Sequence, residues 1–508
     1  MGNTVRHIIW TLFLLINSHV LFAQIHSTPT AHLNVGSYDP FFDSLEPLAP
    51  HSLFRPYVSS YTENIGSYVG NINDTSRHQF KWFPVVNLMS TSKFNEPWSN
   101  SNRLGAGIGG IYSMGEKLYL RGSVAGNHYS RSTSGDFTHI LLPNTSFPYP
   151  LPHQESRIEF DPRIRASYTP NRFFNFQAGI DHNFIGEGDR SMLQGDYVAP
   201  APFAKIQSSI WKIQFTNLYQ FFRERDELGN ELPKFASSHM VNFQFTERFQ
   251  FGLFESVVFM PTDENWTRGF EIDYLNPFLF YRPQAYSIGS QDRLVIGTNL
   301  SYNFGSIMLY GQFLLDEFVL SELRARSRWW ANKYAGQIGF KGKLKLGNIP
   351  VHYRSELNFA RPFTYSHINS STTYGHQGIP LAHPLGANFV ESYSELMIHF
   401  NERWSVHTSF MLVQQGGQHS SPGISYGNDI YAPYTDRPED YGFFIGGNGQ
   451  LNRTRFSLEV QRTLDPNAKI IGFIRPIIES QTGSANQSFM LVFAGIRTNL
   501  WNERSLSF

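Results

Sequence analysis

Residues 293–316 show a regular two-residue alternation that is typical of a β-hairpin. Every second residue from Leu294 to Phe304 is apolar, aromatic or, once, threonine, and the residues between them are mostly small or polar. Successive side chains of a strand point to opposite faces, so one face meets apolar surroundings and the other meets water. After a turn at 303–306 the pattern continues, which predicts a long antiparallel hairpin.

Variants of this hairpin recur along the chain, with connections that alternate between short and long. The predicted strands run from His78 to Trp501 and number about 18. The last of them are predicted at 441–450, 453–462 and 488–501. Tight turns are predicted at 113–116, 169–172, 246–248, 303–306, 346–350, 400–403 and 450–453. Long connections are predicted at 127–157, 184–197, 221–237, 261–292, 316–333, 362–388, 414–440 and 464–487.

The N-terminus adds an export signal to this pattern. Arg6 precedes a short apolar run that ends at Ala23, which is typical of a signal peptide cleaved after residue 23. Residues 24–77 lack periodicity and predict a periplasmic segment or a plug of the barrel. We therefore expect an all-β fold, a transmembrane antiparallel up-and-down barrel over residues 78–508, located in the outer membrane. An even number of strands puts both of its ends in the periplasm.

Composition agrees with this fold class and excludes others. Charged residues make up 16% of the chain and aromatic residues another 16%, whereas soluble domains carry about 25% charged residues. The mean hydropathy of −0.31 is too polar for a bundle of membrane helices. The formal net charge is zero, so nothing indicates a nucleic-acid partner. Cysteine is absent, which excludes disulfides and thiolate metal sites.

One predicted strand carries a row of charges opposite an apolar face. In residues 158–168 the apolar side chains alternate with Glu159, Asp161, Arg163 and Arg165. Such a row is costly in a dry core, whereas a polar barrel lumen accepts it and lets opposite charges pair. We expect these four residues to form a charge ladder on the lumen wall.

A second group of residues predicts surface chemistry. It combines two carboxylates, two arginines and two tryptophans, namely Asp316, Glu317, Arg326, Arg328, Trp329 and Trp330. Aromatic rings stack on sugar faces, and charged groups form strong hydrogen bonds with hydroxyl or acidic groups. These residues therefore predict a polysaccharide-binding platform, and an aromatic belt with loop salt bridges is the alternative.

No catalytic residue, metal site or cofactor is predicted. Residues 423–427 match GxSxG, but they fall in a long loop and not in the strand–turn–helix of a nucleophile elbow. His367, His376 and His383 share one connection, yet no carboxylate stands at ligand spacing beside them.

Several segments within residues 160–435 have distinctive sequences. Many of them lie in connections, where barrel architecture does not determine the sequence. They read FIGEGDRS at 184–191, GLFESVVF at 252–259, YLNPFLFYRP at 274–283, YGQFLLDEF at 310–318, WWANKYAGQIGF at 329–340, RPFTYSH at 361–367 and YGHQGIPLAHPLGANF at 374–389. Together they resemble the family of RemB-type gliding-motility proteins, which is grouped with Wzi-like capsule-assembly proteins.

The resemblance implies an outer-membrane barrel that supports capsular polysaccharide assembly or attachment, or gliding motility and adhesion. Its implied partners are outer-membrane lipid, surface polysaccharide, and other motility or secretion proteins. It supplies no catalytic residue. Three alternatives stay open from the sequence: a passive or selective porin-like channel, a structural subunit of a secretion or motility complex, and a barrel enzyme acting on lipid or protein. The enzyme would use Ser425 with His419 or Asp429.

Overall fold

The structure is a computed structural model that describes most of the chain beyond residue 77. The described parts are 78–94, 99–114, 117–131, 156–171, 173–225, 231–261, 292–417, 423–466, 468–483 and 486–498, with the short pieces 54–55, 71–74, 140–143, 274 and 505–507. The predicted signal peptide and most of the predicted segment 24–77 lie outside these residues.

Eighteen antiparallel strands form one closed barrel, which confirms the predicted fold class. The first nine are β1 His78–Phe94, β2 Ser99–Met114, β3 Leu118–Arg131, β4 Ser156–Asn171, β5 Phe174–Asp181, β6 Ala201–Ile210, β7 Ile213–Arg225, β8 Glu231–Gln244 and β9 Phe249–Phe259. The others are β10 Arg293–Asn303, β11 Ile307–Glu317, β12 Lys333–Leu346, β13 Ile349–Ala360, β14 Phe389–His399, β15 Trp404–Gln415, β16 Leu451–Asp465, β17 Ile470–Gly483 and β18 Gln487–Thr498.

The barrel closes where β18 pairs with β1. Met490 lies opposite Phe94 at one end of this ladder, and Arg497 lies opposite Asn87 at the other. Every other strand pairs with its neighbours in sequence, so no barrel strand presents an open edge. A closed sheet satisfies its backbone hydrogen bonds internally, which a strand needs in the hydrocarbon of a bilayer.

Apolar residues face outward and polar residues face the lumen. In β10 the outward Ile296, Leu300 and Tyr302 are exposed, while the alternating Asn299 and Ser301 are buried. An exposed apolar wall around a buried polar interior is the arrangement of an outer-membrane barrel. The predicted location in the outer membrane is therefore confirmed. Among the described residues, no helix is long and apolar enough to cross a membrane.

The two ends of the barrel differ in their connections. At one end, here called the turn end, connections such as 211–212, 304–306 and 347–348 are short. At the other, the loop end, the connections include the long ones 182–200, 361–388 and 416–450. The predicted long connection 221–237 is wrong, because β7 runs to Arg225 and β8 begins at Glu231. Long connections are extracellular in outer-membrane barrels, so the loop end faces the cell exterior.

Three predictions near the C-terminus are wrong. Residues 441–450 are not a strand, because Gly442, Gly446 and Asn448 take positive φ angles that break extended backbone. They belong to the long connection that ends at β16, so no tight turn lies at 450–453. The predicted long connection 464–487 instead contains β17, whose apolar residues on both faces and Pro476 hide the alternation.

A charged side chain at an outward position near the bilayer midplane should destabilise the barrel. We expect Ile338→Arg, in the middle of β12, to lower the free energy of unfolding by about 2–4 kcal/mol in liposomes. Leu346→Arg, at the turn-end interface, should cost only about 0–1 kcal/mol. Both residues are exposed on the outer face. Denaturant unfolding followed by tryptophan fluorescence measures the difference, and equal costs would contradict a lipid-facing position for Ile338.

Candidate functional site

A 19-residue connection, 182–200, is buried along its whole length. It joins β5 to β6 and is here called the inward segment. Its Glu187 carboxylate lies 2.7 Å from Lys341 Nζ, and Lys341 is on the inner face of β12 in the half nearer the turn end. The inward segment therefore runs from the loop end deep into the lumen.

Buried ion pairs hold the inward segment to the far wall of the barrel. Besides the Glu187–Lys341 pair, Asp189 accepts a hydrogen bond from Arg354 Nη2 on β13 at 2.9 Å. Arg190 Nε lies 3.5 Å from a Glu391 carboxylate oxygen on β14. Removing one partner of a buried pair leaves an uncompensated charge, which costs about 3–5 kcal/mol. The wall and the segment are therefore strongly coupled.

Wall side chains also satisfy the backbone of the inward segment. The Gln312 side chain of β11 donates to the Ile185 carbonyl at 2.9 Å and accepts from the Met192 N–H at 2.8 Å. Glu356 of β13 accepts from the N–H groups of both Asp189 and Arg190. A loop with so little regular structure can be buried because these side chains replace water as hydrogen-bond partners.

Two glycines allow the segment to approach the wall this closely. Gly186 has φ +135°, and a Cβ there would lie 2.3 Å from Gln312 Nε2. A Cβ on Gly188 would lie 2.6 Å from the Glu356 carboxylate. Both glycines belong to the segment FIGEGDRS, on which the family resemblance partly rests. That segment therefore includes residues needed for packing against the wall.

The connection 361–388 packs on the inward segment from the loop end. The Tyr365 hydroxyl donates to the Met192 carbonyl at 2.8 Å, and the Tyr374 hydroxyl donates to the Leu193 carbonyl at 2.9 Å. The two rings stack with centroids 5.9 Å apart. Burial raises the pKa of both tyrosines, so their hydroxyls stay protonated as donors.

The N-terminal part of the chain reaches the same place. Phe54–Arg55 pairs antiparallel with Phe184–Ile185 of the inward segment. This pairing brings part of the predicted periplasmic segment or plug next to the buried segment. The residues on either side, 24–53 and 56–70, lie outside the described structure.

Above these loops, aromatic and charged side chains form a compact group at the loop end. We name it the rim cluster, and its members are Glu317, Trp330, Lys333, Tyr434 and Arg437. The Trp330 ring packs at a tilt of 33° against Tyr434 with centroids 4.9 Å apart, and the Arg437 guanidinium lies 4.0 Å from the Trp330 centroid. Lys333 Nζ is 4.2 Å from the Tyr434 centroid and 3.2 Å from Glu317. Cations above aromatic faces are attracted by the ring quadrupole.

The predicted platform residues divide into three positions. Glu317 and Trp330 belong to the rim cluster, and Trp329 is a partly exposed neighbour, its ring 6.2 Å from that of Trp330. Asp316 lies beneath the cluster, where it pairs with the buried Arg293 and accepts from the Tyr365 N–H at 3.0 Å.

Arg326 and Arg328 lie apart from the rim cluster. Both are exposed and have left-handed backbone, with φ angles of 52° and 57°. The Arg328 guanidinium lies 5.1 Å from the Phe444 ring centroid. The structure thus brings Glu317, Trp329 and Trp330 together and leaves the two arginines at the margin.

Sequence reasoning missed Lys333, Tyr434 and Arg437. Tyr434 and Arg437 stand about a hundred residues from Trp330 in a connection without periodicity, so no local pattern links them. For Lys333 the sequence contained one indication of a functional position, because the residue lies within the distinctive segment WWANKYAGQIGF.

The structure places the four ladder residues of β4 on the inner face, where all are buried. Arg163 pairs with Asp161 at 3.2 Å, and Arg165 pairs with Asp181 of β5 at 2.7 Å. Arg165 also donates to the His182 carbonyl at 2.6 Å, so the ladder fixes the start of the inward segment.

Neither the GxSxG match nor the histidines form a site in the described structure. Ser425 lies in a loop where its hydroxyl accepts from the Gly427 N–H at 3.1 Å, and only a three-residue 3-10 helix, Tyr434–Asp436, follows it in this connection. Within the described parts of the chain, no three histidine or carboxylate side chains come together as metal ligands. His419, one possible partner of Ser425, lies outside the described residues.

Comparison with known proteins supports the fold. No protein-family model and no curated protein matches the chain. The solved structure of Wzi, an outer-membrane protein involved in group 1 capsule assembly in Escherichia coli and a carbohydrate-binding β-barrel, gives a TM-score of 0.50. The two sequences are 11% identical, and the match covers 80% of this chain and 84% of the Wzi chain. At this identity the likeness shows the fold alone.

Two other solved outer-membrane proteins are also similar. Pseudomonas aeruginosa OprD gives a TM-score of 0.43 at 8% identity, over 86% of this chain and 97% of that chain. Acinetobacter baumannii OccAB1 gives a TM-score of 0.43 at 9% identity, over 87% of this chain and 99% of that chain. The resemblance to RemB-type proteins stays a prediction, since no family model and no curated protein matches the chain.

The loop packing should loosen in acid. Burial lowers the pKa of His376 to about 4 from its ordinary 6.5, while Nδ1 lies 2.9 Å from the Arg223 carbonyl oxygen. The unfolded loop binds a proton below pH 6.5 and the folded loop does not until about pH 4. The contribution of His376 to the free energy of unfolding the loop is therefore fully present above pH 6.5. It falls as the pH falls, by about 2 kcal/mol at pH 5.

Protease cleavage within 361–388 at pH 5 and pH 7.5 measures this loss. His376→Gln cannot take up the proton, so its cleavage rate should vary less with pH than that of the unmodified protein. Part of the dependence should remain, because burial also lowers the pKa values of His367 and His383 in the same connection. The same pH dependence in both proteins would contradict a neutral, buried His376.

Proposed function

We propose that this protein is a non-conducting outer-membrane barrel that binds capsular polysaccharide at the cell surface and so supports its attachment or assembly. The observation that carries the proposal is the inward segment, which is buried throughout and joined to both the barrel wall and the connection 361–388. A barrel whose long connections fill its own lumen serves better as a rigid base for a surface platform than as an open pore.

The rim cluster supplies suitable chemistry for a sugar ligand. The Glu317 side chain is 44% exposed and Asp440, which binds Arg437 at 2.8 Å, is 56% exposed. Trp329 is a partly exposed residue whose ring lies next to that of Trp330 in the rim cluster. Together they combine an apolar face for a sugar ring with charge-assisted partners for its hydroxyl groups.

Trp330 and Lys333 have a different part in this proposal. Their contacts with Tyr434 and Arg437 occupy them within the protein, so they hold the platform in shape. Preorganised side chains lose little conformational entropy on binding, which favours affinity.

The fold likeness to Wzi supports this proposal, because that barrel binds carbohydrate and takes part in capsule assembly. The sequence resemblance also implies gliding motility as a role of the family. Function depends on the site and not on the fold, so the two roles must be separated by experiment.

A selective channel is the second candidate, and the inner wall at β16–β18 favours it. Arg475 and Arg497 share the single carboxylate Glu459, at 3.6 Å and 2.9 Å. Two guanidinium groups beside one carboxylate make this part of the wall locally positive, as suits the passage of anions.

Conductance separates a filled lumen from a channel. The protein in planar lipid bilayers should show no stable channel current. Lys341→Ala/Arg354→Ala leaves Glu187 and Asp189 without their wall cations, which should drive the inward segment out of the lumen and produce conductance.

Lys345→Ala/Arg403→Ala removes two exposed cations at the turn end and is the matched control, expected to stay silent. Steady currents of similar size from the unmodified protein and the first variant would instead support the channel.

Surface polysaccharide tests the proposed binding. A deletion strain should shed capsule into the medium, and the intact gene should restore it to the cells. Trp329→Ala should retain about fivefold less polysaccharide, since it removes the stacking face. Trp211→Ala, an equally drastic change at an exposed turn-end tryptophan, should restore it fully.

Polysaccharide staining of cells and medium, at matched outer-membrane levels of each protein, measures the effect. Unchanged capsule in the deletion strain, with slowed spreading on agar, would contradict polysaccharide binding and leave a motility role.

A further inference from the structure

The connection between β11 and β12 exposes an unusual amount of apolar surface at the loop end. Four apolar side chains that are close together in sequence are each between 37% and 47% exposed, namely Phe318, Val319, Leu320 and Leu323. Helix α1, Leu320–Arg324, buries none of its residues and has no side-chain N-cap. Five residues without a cap or a buried face are too few to form a stable helix in water. The described residues of the chain therefore leave this apolar face uncovered.

The apolar residues continue the lipid-facing surface of the barrel. Leu309 and Phe313 of β11 are exposed on the outer wall, and Phe318 follows the end of that strand. The Val319 N–H donates to Asn332 Oδ1 at 2.7 Å, which ties the start of α1 to the residue just before β12. The segment is thus fixed beside the wall at the outer boundary of the membrane.

A basic sequence follows the apolar one directly. Residues 318–328 contain three arginines, at 324, 326 and 328, against the single acid Glu322. All three arginines are exposed. Left-handed backbone at Arg326 and Arg328 costs about 1–2 kcal/mol for each, and such strain is usually retained where a functional position requires it.

We propose that residues 318–328 form a membrane-surface anchor that binds a phosphorylated glycolipid of the outer leaflet. The apolar side chains enter the acyl boundary, and Arg324, Arg326 and Arg328 bind the phosphate groups above it. Short amphipathic segments bind membranes in this way, by apolar burial plus attraction to anionic lipid. This proposal does not depend on the function proposed for the rim cluster, and it assigns Arg326 and Arg328 to lipid.

Lipid fits this surface better than a protein partner does, because the apolar face is continuous with the wall that lipid already covers. Arginine guanidinium groups form bidentate, charge-assisted hydrogen bonds with phosphate. The anchor would also hold the rim cluster at a fixed height, since Trp329 follows Arg328 directly in the chain.

The absence of cysteine makes the apolar half of the proposal directly measurable. Single-cysteine variants Leu320→Cys and Leu323→Cys, labelled with an environment-sensitive fluorophore in the full-length protein, are placed in phosphatidylcholine vesicles with doxyl-labelled lipid. Ile338→Cys on the lipid-facing wall and Tyr441→Cys on an exposed loop are the two reference positions. With the doxyl group near the headgroup end of the acyl chain, we expect quenching at 320 and 323 about twofold or more above that at 441, and with the doxyl group near the chain end we expect quenching to be strongest at 338.

The phosphate half is tested by titrating the detergent-solubilised protein with diphosphoryl lipid A in native mass spectrometry. Arg324→Gln/Arg326→Gln/Arg328→Gln should bind lipid A at least about tenfold more weakly. Arg248→Gln/Lys345→Gln/Arg403→Gln removes the same charge from the turn end and should bind normally. Dephosphorylated lipid A should bind all three proteins equally weakly.

Three outcomes would overturn the proposal. They are quenching at 320 and 323 no greater than at 441, unchanged lipid A affinity in the first triple variant, and equal affinity for the two forms of lipid A. Protection of the fluorophore in whole cells, without quenching in vesicles, would point to a protein partner instead.

Discussion

Charges buried inside the lumen must be paired, and this requirement organises the structure. Glu187, Asp189 and Arg190 enter the barrel on a segment that has little regular structure of its own. Each meets an opposite charge on β12, β13 or β14. Neither the wall nor the segment could hold these groups alone without a large desolvation cost. The conformation of the loops above follows from this pairing, since Tyr365 and Tyr374 bond to the same segment.

The coupling extends from the lumen to the cell surface. Asp316 links Arg293 on the inner wall to the backbone of Tyr365, and the next residue, Glu317, belongs to the rim cluster. A platform built in this way is positioned by buried contacts and not by the loops alone. Rigid support of this kind is what separates a binding surface from a set of mobile loops.

Sequence alternation predicted the barrel because lipid and lumen impose opposite polarity on successive residues. It succeeded at β4 and β10, where the two faces differ sharply. It failed at β17, where Ile471 and Phe473 make the inner face apolar too, and at 441–450, where glycines interrupt an apparent strand. The candidate site was only partly predictable. Asp316 and Trp330 stand in a distinctive segment, whereas Tyr434 and Arg437 join them through tertiary contacts that leave no trace in local sequence.

Hydrogen–deuterium exchange of the membrane-embedded protein tests the central claim, that the inward segment is fixed within the lumen. Within 184–195, the amides of Asp189, Arg190 and Met192 bond to wall side chains, and the Gly195 amide bonds to the Leu381 carbonyl of the connection packed on the segment. Other amides bond within the buried segment itself, to the Gln194 carbonyl or the Ser191 hydroxyl. All of these amides should exchange as slowly as those of β11–β13, over hours, while amides of the exposed part of 434–442 should exchange within seconds to minutes. Exchange at 184–195 as fast as at 434–442 would mean that the segment leaves the lumen freely, and it would contradict a closed barrel that supports a surface platform.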